Sequence, residues 1–512
     1  LKLVMDTNRE EVSLKDLTVY RSVNGAEESA YGEPITLTGS RSEYDFTYDV
    51  REKSGSKINF RFVVRDANDL AAQETYRASI VPNRGAIRVA VISDLNSSFG
   101  SATYEWQVDS IMQRIPRLWK PDLVLTGGDM VAGQSATLTN EQVANMWAGF
   151  DKTVAAPLRK ANIPLAFTMG NHDAAKGFEV DRTEAASYWN NPANQQGWHG
   201  LDLSNYPFYY TFKISEESDV FFMAWEASSG NISNEQLEWV KAQLSTPEAK
   251  AAKQRILVGH LPLYSVAQVY NSFGNIISNG DKMRQLLEEY GVDTYVSGHH
   301  HAYYPAKRGK MELLNAGAAG SGPRVIMSTE EASPNTVTLM DIFPDQDTVI
   351  YTTYEIKHEN ADNMPVFDEK TLPSSLFGIN GYIVRRDVHV SGSGEGMLSS
   401  LHHEKSEVLE GTGTVEAREV NGKIRITGSF SNLAGKLLPE KTAVALYEGL
   451  YPQQGKLHSV LNVVSTDGLN GTFSAEVPAT TGNKELMSVG ALYVLIKTEH
   501  NKAGELRTQL YL

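Results

Sequence analysis

The sequence predicts an α/β protein, with helices layered over two sets of strands and a β-sandwich-like domain at either end. Three observations carry this. From Ile87 onward, short apolar runs alternate with longer helical stretches, the pattern of α/β layering. Before that stretch, alternation is visible in Lys57-Ile-Asn-Phe-Arg-Phe-Val-Val, and after it the chain turns β-rich again. Between them, five polar blocks each end an apolar run. The expected domains are residues 1–84, 85–390 and 391–512. Val81 to Ala86 reads as the first linker and Ser391-Gly-Ser-Gly-Glu-Gly as the second.

Within the central segment, Ile87 to Ile92 is expected as a buried strand and Tyr104 to Leu118 as an amphipathic helix. Trp106, Ile111, Ile115 and Leu118 fall roughly on one helix face. Leu123 to Thr126 is the next strand. Thr139 to Ala161 is a helix with a Thr or Asn cap, and Pro164 to Met169 a strand. Tyr209 to Ile214 and Asp219 to Trp225 form a hairpin. Ser233-Asn-Glu-Gln236 is a capping box that opens a helix. Arg255 to Val258, the helix Lys282 to Tyr290 and Asp293 to Val296 follow. Segments 311–314, 336–342 and 348–356 read as a second set of strands.

Bulk properties exclude several classes. With 512 residues the chain exceeds one ordinary domain, and 41% apolar residues suffice for globular cores. It has no cysteine, so disulfides, thiolate metal sites and cysteine nucleophiles are excluded. A net charge of −15 disfavours nucleic acid as a stable partner and anionic membranes as a surface. No run reaches transmembrane length. The first residue is Leu1, which suggests that an upstream segment was removed, a signal peptide being one candidate.

The five blocks carry the chemistry. They are Ser93-Asp-Leu-Asn96, Gly127-Gly-Asp129, Gly170-Asn-His-Asp173, Gly259-His260 and Gly298-His-His-His301. Each lies at the carboxyl end of an expected strand, where open α/β sheets place ligands. Carboxylate, amide and imidazole side chains converging there suit Mn, Fe, Zn, Co or Ni. His260 taken alone could be a buried structural histidine, but its setting in Val-Gly-His-Leu-Pro-Leu-Tyr favours ligation. Ser98, Gln134 and Ser135 follow these blocks and could touch a bound substrate, ordinary loop polarity being the better reading. Tyr264, Tyr303 and Tyr304 line the pocket or pack the core. Trp198 and His199 either overhang the site or belong to a surface loop.

In order and content these blocks resemble the calcineurin-like metallophosphoesterase superfamily, which implies a two-sheet α/β sandwich and phosphoester hydrolysis. The resemblance implies two divalent or trivalent transition-metal ions, Mn, Fe or Zn. It assigns Asp94 and His301 to one ion, Asn171, His260 and His299 to the other, and Asp129 to both. A hydroxide bridging the metals would attack phosphorus in line. His172 would protonate the leaving group or stabilise the transition state, with Asp173 orienting its ring. His300 is left off the metals. Many members carry Asp-x-His in the first block. Here Asn96 takes the His position, either as a ligand through its carbonyl oxygen or only as a hydrogen-bonding group. Purple acid phosphatases also lack that His, and Gly298-His-His-His-Ala-Tyr resembles their last motif. The tyrosine they place three residues after the bridging Asp is Ala132 here, so no tyrosinate-to-iron colour is expected.

The segment Asn59-Phe-Arg-Phe-Val-Val-Arg-Asp-Ala-Asn-Asp resembles late strands of bacterial immunoglobulin-like modules. The tail resembles the bacterial CHRD domain in Gly411-Thr-Gly-Thr-Val, Ile426-Thr-Gly-Ser-Phe-Ser-Asn-Leu and Leu492-Tyr-Val-Leu-Ile-Lys-Thr, but has Val444-Ala-Leu-Tyr where that family carries His-x-His. These companions imply a periplasmic, cell-surface or extracellular bacterial protein, whose outer domains contact surface or matrix. The leading expectation is a phosphate monoesterase acting on a small soluble ester. A phosphodiesterase on the same site and a surface-binding protein with a vestigial catalytic domain are the alternatives.

Overall fold

The computed structural model describes residues 1–23, 26–48, 57–79, 84–194, 197–272, 274–327, 329–359, 364–372, 378–379, 383–385, 397–400, 402–403, 411–451 and 453–510. Of the two expected linkers, residues 81–83 and 391–396 lie outside these. The chain divides into two compact units, Leu1–Arg84 and Gly85–Leu512. The second unit holds both the central segment and the C-terminal β region.

In the first unit, strand Leu14–Val23 pairs antiparallel with Lys57–Asp66, which pairs with Ala71–Ser79. Ile58, Phe60 and Phe62 are buried while Asn59 and Arg61 are partly exposed, so the alternation read from the sequence sets which face is the core. Phe46 meets Phe60 and Phe62 edge to face, each at 5.1 Å between centroids.

The second unit is built around two α/β sheets. One has six strands in the order Leu165–Phe167, Leu123–Thr126, Ile87–Ile92, Thr336–Phe343, Thr348–Glu359 and Met364–Glu369. The other, of nine strands, has Val220–Ala224, Gln254–Val258, Thr294–Ser297 and Met311–Ala316 as parallel neighbours at its centre. Near-continuous apolar runs such as Ile87–Ile92 are buried almost throughout, as strands packed on both faces require. The expected second set of strands is not one set. Met311–Ala316 joins the nine-stranded sheet, whereas Thr336–Phe343 crosses to the other and pairs antiparallel with Ile87–Ile92. Strand periodicity says nothing about which sheet receives a strand. The C-terminal β region forms two five-stranded sheets. Their apolar faces, including Ile426, Phe430, Val494 and Ile496, share one core.

Two helices depart from expectation. The first runs Trp106–Arg114 and then widens into a π-turn, Ile115–Trp119. Trp119 becomes the buried residue, stacked 5.5 Å from Tyr354, and Leu118 is exposed. The second is Asn140–Phe150, a π-turn at Asp151–Ala155, then Ala156–Lys160. Pro157, which has no N–H to donate, lies just past that turn. Thr139 and Gln142 form its reciprocal capping box. At Ser233 the hydroxyl accepts from Gln236 N at 3.2 Å, capping the helix Asn234–Leu244. Among the described residues, no helix is long and apolar enough to cross a membrane.

Candidate metal centre

The first three polar blocks follow strands of the six-stranded sheet, and the last two follow strands of the nine-stranded sheet. The loops are stitched together across the junction. Asp94 N donates to Gly128 O at 2.9 Å, Gly298 N to His260 O at 3.0 Å, and Gly320 N to Asp94 O at 3.1 Å. His299 N donates to both Asp94 carboxylate oxygens, at 3.1 and 3.0 Å. Asp94, Asp129, His299 and His301 have φ of +50°, +54°, +63° and +48°. Left-handed backbone at a non-glycine residue costs on the order of 1–3 kcal/mol and persists where surrounding bonds fix it. Here those bonds aim four chemically active side chains at two adjoining ligand groups. Gly170 is required by a close approach, because a Cβ there would strike the Asp129 carboxylate.

Two groups of potential ligands result: Asp129 with His260 and His299, and Asp94 with Asp129 and His301. Within each group the donor atoms lie within 4.8 Å of one another, and Asp129 belongs to both. Each imidazole is held from outside. His260 Nδ1 is 2.7 Å from Gly127 O, and His301 Nδ1 is 2.8 Å from Gly322 O. Their Nε2 atoms therefore face the carboxylates, His260 at 3.4 Å from Asp129 and His301 at 3.2 Å from Asp94. His299 Nε2 is 3.1 Å from Asn275 Oδ1, which leaves its Nδ1. Asn171 directs Oδ1 to His260 Nε2 at 2.9 Å, because its Nδ2 donates to Gln134 Oε1 at 2.7 Å. A set of buried oxygens and outward-anchored imidazoles fits first-row transition-metal ions.

The electrostatics agree with that fit. Burial works to raise Asp129, but the His260, His172 and His299 rings outweigh it and hold the carboxylate below its usual range. Burial works to lower His260, and Asp129 reverses this and lifts it to about 9. Without a cation the centre thus stores a proton on His260, which metal binding would release. His299 is held well below its usual range by burial and by its neighbour His260.

The remaining block residues take other places. His300 Nδ1 accepts from Val266 N and Ala267 N, both at 3.2 Å, and its Nε2 donates to Asn275 O at 2.9 Å. Burial lowers it to about 4, so it is a neutral structural histidine. Asn96 Oδ1 accepts from the Ser321 hydroxyl, as does its backbone oxygen at 2.9 Å. His172 N donates to Asp129 Oδ1 at 2.9 Å, with its ring on the site side and Nε2 4.0 Å from Asp129 Oδ2.

One expected role changes. Asp173 does not orient the His172 ring, whose Nδ1 is 3.1 Å from Gly133 O. Asp173 instead accepts from Gly170 N at 2.8 Å and Val131 N at 2.9 Å, tying two ligand loops together. A carboxylate three residues into a short helix turns back on that helix's first amides and cannot reach the ring beside it. Burial, then the Asp129 charge, raises it to about 7. Trp198 does not overhang the centre. It donates to Leu165 O at 2.9 Å and stacks on Tyr210. Tyr264 donates to Asp281 at 2.7 Å and lines a separate cavity of about 870 Å³. Tyr303 and Tyr304 are buried.

Asn275, Gln134, Ser93 and Tyr270 escaped the sequence reading as functional residues. Ser93 donates to Asp94 Oδ2 at 2.7 Å, and Tyr270 stacks on His299 with centroids 4.9 Å apart. Only the density of Asn in the loop 271–279 hinted at Asn275. Asn275→Ala is expected to weaken metal affinity or activity by about 10–100-fold. A calorimetric metal titration equal to wild type would show that His299 needs no such support.

Residues 87–303 match the calcineurin-like phosphoesterase family. The matched segment contains all five blocks. Purple acid phosphatase 15 of Arabidopsis thaliana is 26% identical over 240 residues, covering 43% of this chain and 41% of that protein. Purple acid phosphatase 18 of the same plant is 27% identical over 170 residues, covering 33% of this chain and 36% of that protein. The chain thus spans well under half the length of these curated relatives. Among solved structures, purple acid phosphatase PPD1 from yellow lupin (Lupinus luteus) seeds aligns over 72% of this chain and 71% of its own, with 14% identity and a TM-score of 0.39.

Proposed function

We propose that this protein is a phosphoester hydrolase that uses two transition-metal ions, Mn, Fe or Zn, and acts on small phosphate monoesters. One observation carries the reading: two ligand groups share Asp129 inside a segment that matches a phosphoesterase family. Asp94, Asp129 and His301 would hold one ion, and Asp129, Asn171, His260 and His299 the other. Such ions, when bound, polarise phosphoryl oxygens and lower the pKa of water. The chain's own residues do the rest. Asn275, Gly127 and Gly322 keep the imidazoles aimed inward, and Gln134 keeps the Asn171 oxygen there. His172, with Nδ1 beside Gly133 O and Nε2 4.0 Å from Asp129 Oδ2, would pass a proton to the leaving-group oxygen.

The test is turnover by metal-stripped protein refilled separately with Mn, Fe or Zn, using p-nitrophenyl phosphate beside bis-p-nitrophenyl phosphate. The expected result is metal-dependent turnover that is faster on the monoester. Faster turnover of the diester would make the enzyme a phosphodiesterase. No turnover with any ion by folded protein would end the hydrolase reading.

A further inference from the structure

Arg324 lies beside the metal centre without a role in it. It belongs to the loop that follows strand Met311–Ala316. That loop is fixed to the first ligand block by Gly320 N and Ser321 N, which donate to Asp94 O at 3.1 and 2.9 Å. The Arg324 backbone is held on both sides: its N donates to His301 O at 3.3 Å, and its O accepts from Ser333 N at 2.8 Å. The guanidinium lies over Tyr270, with Cζ 4.3 Å from the ring centroid. Tyr270 is in turn stacked on His299 at an interplanar angle of 7°. Arg324 therefore touches, through one residue or its own backbone, a histidine of each ligand group. Among the described residues its buried Nε has no hydrogen-bond partner. An unpaired buried guanidinium donor is costly, so Nε marks a side chain whose hydrogen bonding within the described residues is incomplete.

We propose that Arg324 is a substrate-binding and specificity residue, receiving non-bridging oxygens of a phosphate monoester dianion at the metal centre. The inference rests on the phosphoesterase reading above. The planar guanidinium fork matches phosphate oxygens in geometry, and its charge is permanent. A monoester offers three non-bridging oxygens and up to two negative charges. A diester offers two such oxygens and one charge. A fixed cation at this position therefore favours the monoester. The net charge of −15 makes such a local cation the more consequential for capturing an anion. A purely structural Arg324 would serve only to cover Tyr270, and Lys or Gln could replace it with no effect on anion binding.

The experiment compares wild type with Arg324→Gln and Arg324→Lys, each refilled with Mn and checked for equal metal content and circular dichroism. Inorganic phosphate binding is measured by calorimetry, and KM and kcat are measured on p-nitrophenyl phosphate and bis-p-nitrophenyl phosphate. Arg324→Gln is expected to weaken inorganic phosphate binding about tenfold or more, with KM rising on the monoester and nearly constant on the diester. Arg324→Lys should recover part of the loss. Phosphate affinity and a monoester-to-diester ratio equal to wild type in both variants would overturn the assignment while leaving the hydrolase reading intact. Wild-type protein without metal-dependent turnover would overturn that reading, and this inference with it.

Discussion

Asp129→Asn is expected to lower phosphate-ester turnover by about a hundredfold or more and to reduce bound metal to one ion per chain or fewer. The choice of Asn isolates the charge. Asn tolerates the left-handed φ of +54° that this position adopts. Its Oδ1 can still accept from His172 N, which lies 2.9 Å from the Asp129 oxygen in the native chain. The local fold is therefore retained, while both ligand groups lose their shared anion. His260, held protonated by Asp129 when no cation is present, loses the partner that outweighs its burial. Elemental analysis and p-nitrophenyl phosphate turnover on the same sample check both parts. Two ions per chain with near-normal turnover would show that Asp129 does not join the two groups.

The strands and the five blocks were legible because each left a local pattern: an apolar run, then a glycine-rich polar stop. Ile87–Ile92 and Leu123–Thr126 match their expected limits for that reason. What the sequence concealed depends on encounters between distant segments. Asn275 reaches His299 across 24 positions, and Gln134 reaches Asn171 across 37. Neither loop residue differs in kind from other polar loop residues, so only the folded chain distinguishes them. The same holds for strand Thr336–Phe343, whose periodicity was clear and whose sheet was not. Asp173 departs from expectation for a different reason. Its neighbour in sequence is His172, but the short helix beginning at Asn171 returns its carboxylate to the backbone of Gly170.

Asp341→Ala is expected to destabilise the second unit by about 3–5 kcal/mol. Asp341 and Arg88 face each other across the pair formed by Thr336–Phe343 and Ile87–Ile92, with side chains 0% and 3% exposed. Arg88 donates Nε to Asp341 Oδ1 and Nη2 to Oδ2, each at 2.9 Å, and Gly85 N donates to Oδ1 at 2.9 Å. Alanine would leave a buried guanidinium without its carboxylate and a backbone amide without its acceptor, and loss of one partner costs far more than the intact pair contributes. The double variant Arg88→Met, Asp341→Leu removes both charges at similar volume and should restore most of the loss. Urea unfolding of all three proteins, followed by tryptophan fluorescence, measures the difference; a midpoint for Asp341→Ala equal to wild type would mean that water reaches the guanidinium. Arg88 sits at the start of strand Ile87–Ile92, whereas Asp94 follows its end. KM should therefore stay unchanged wherever the variant remains folded, which separates the stability of this strand from the chemistry at its far end.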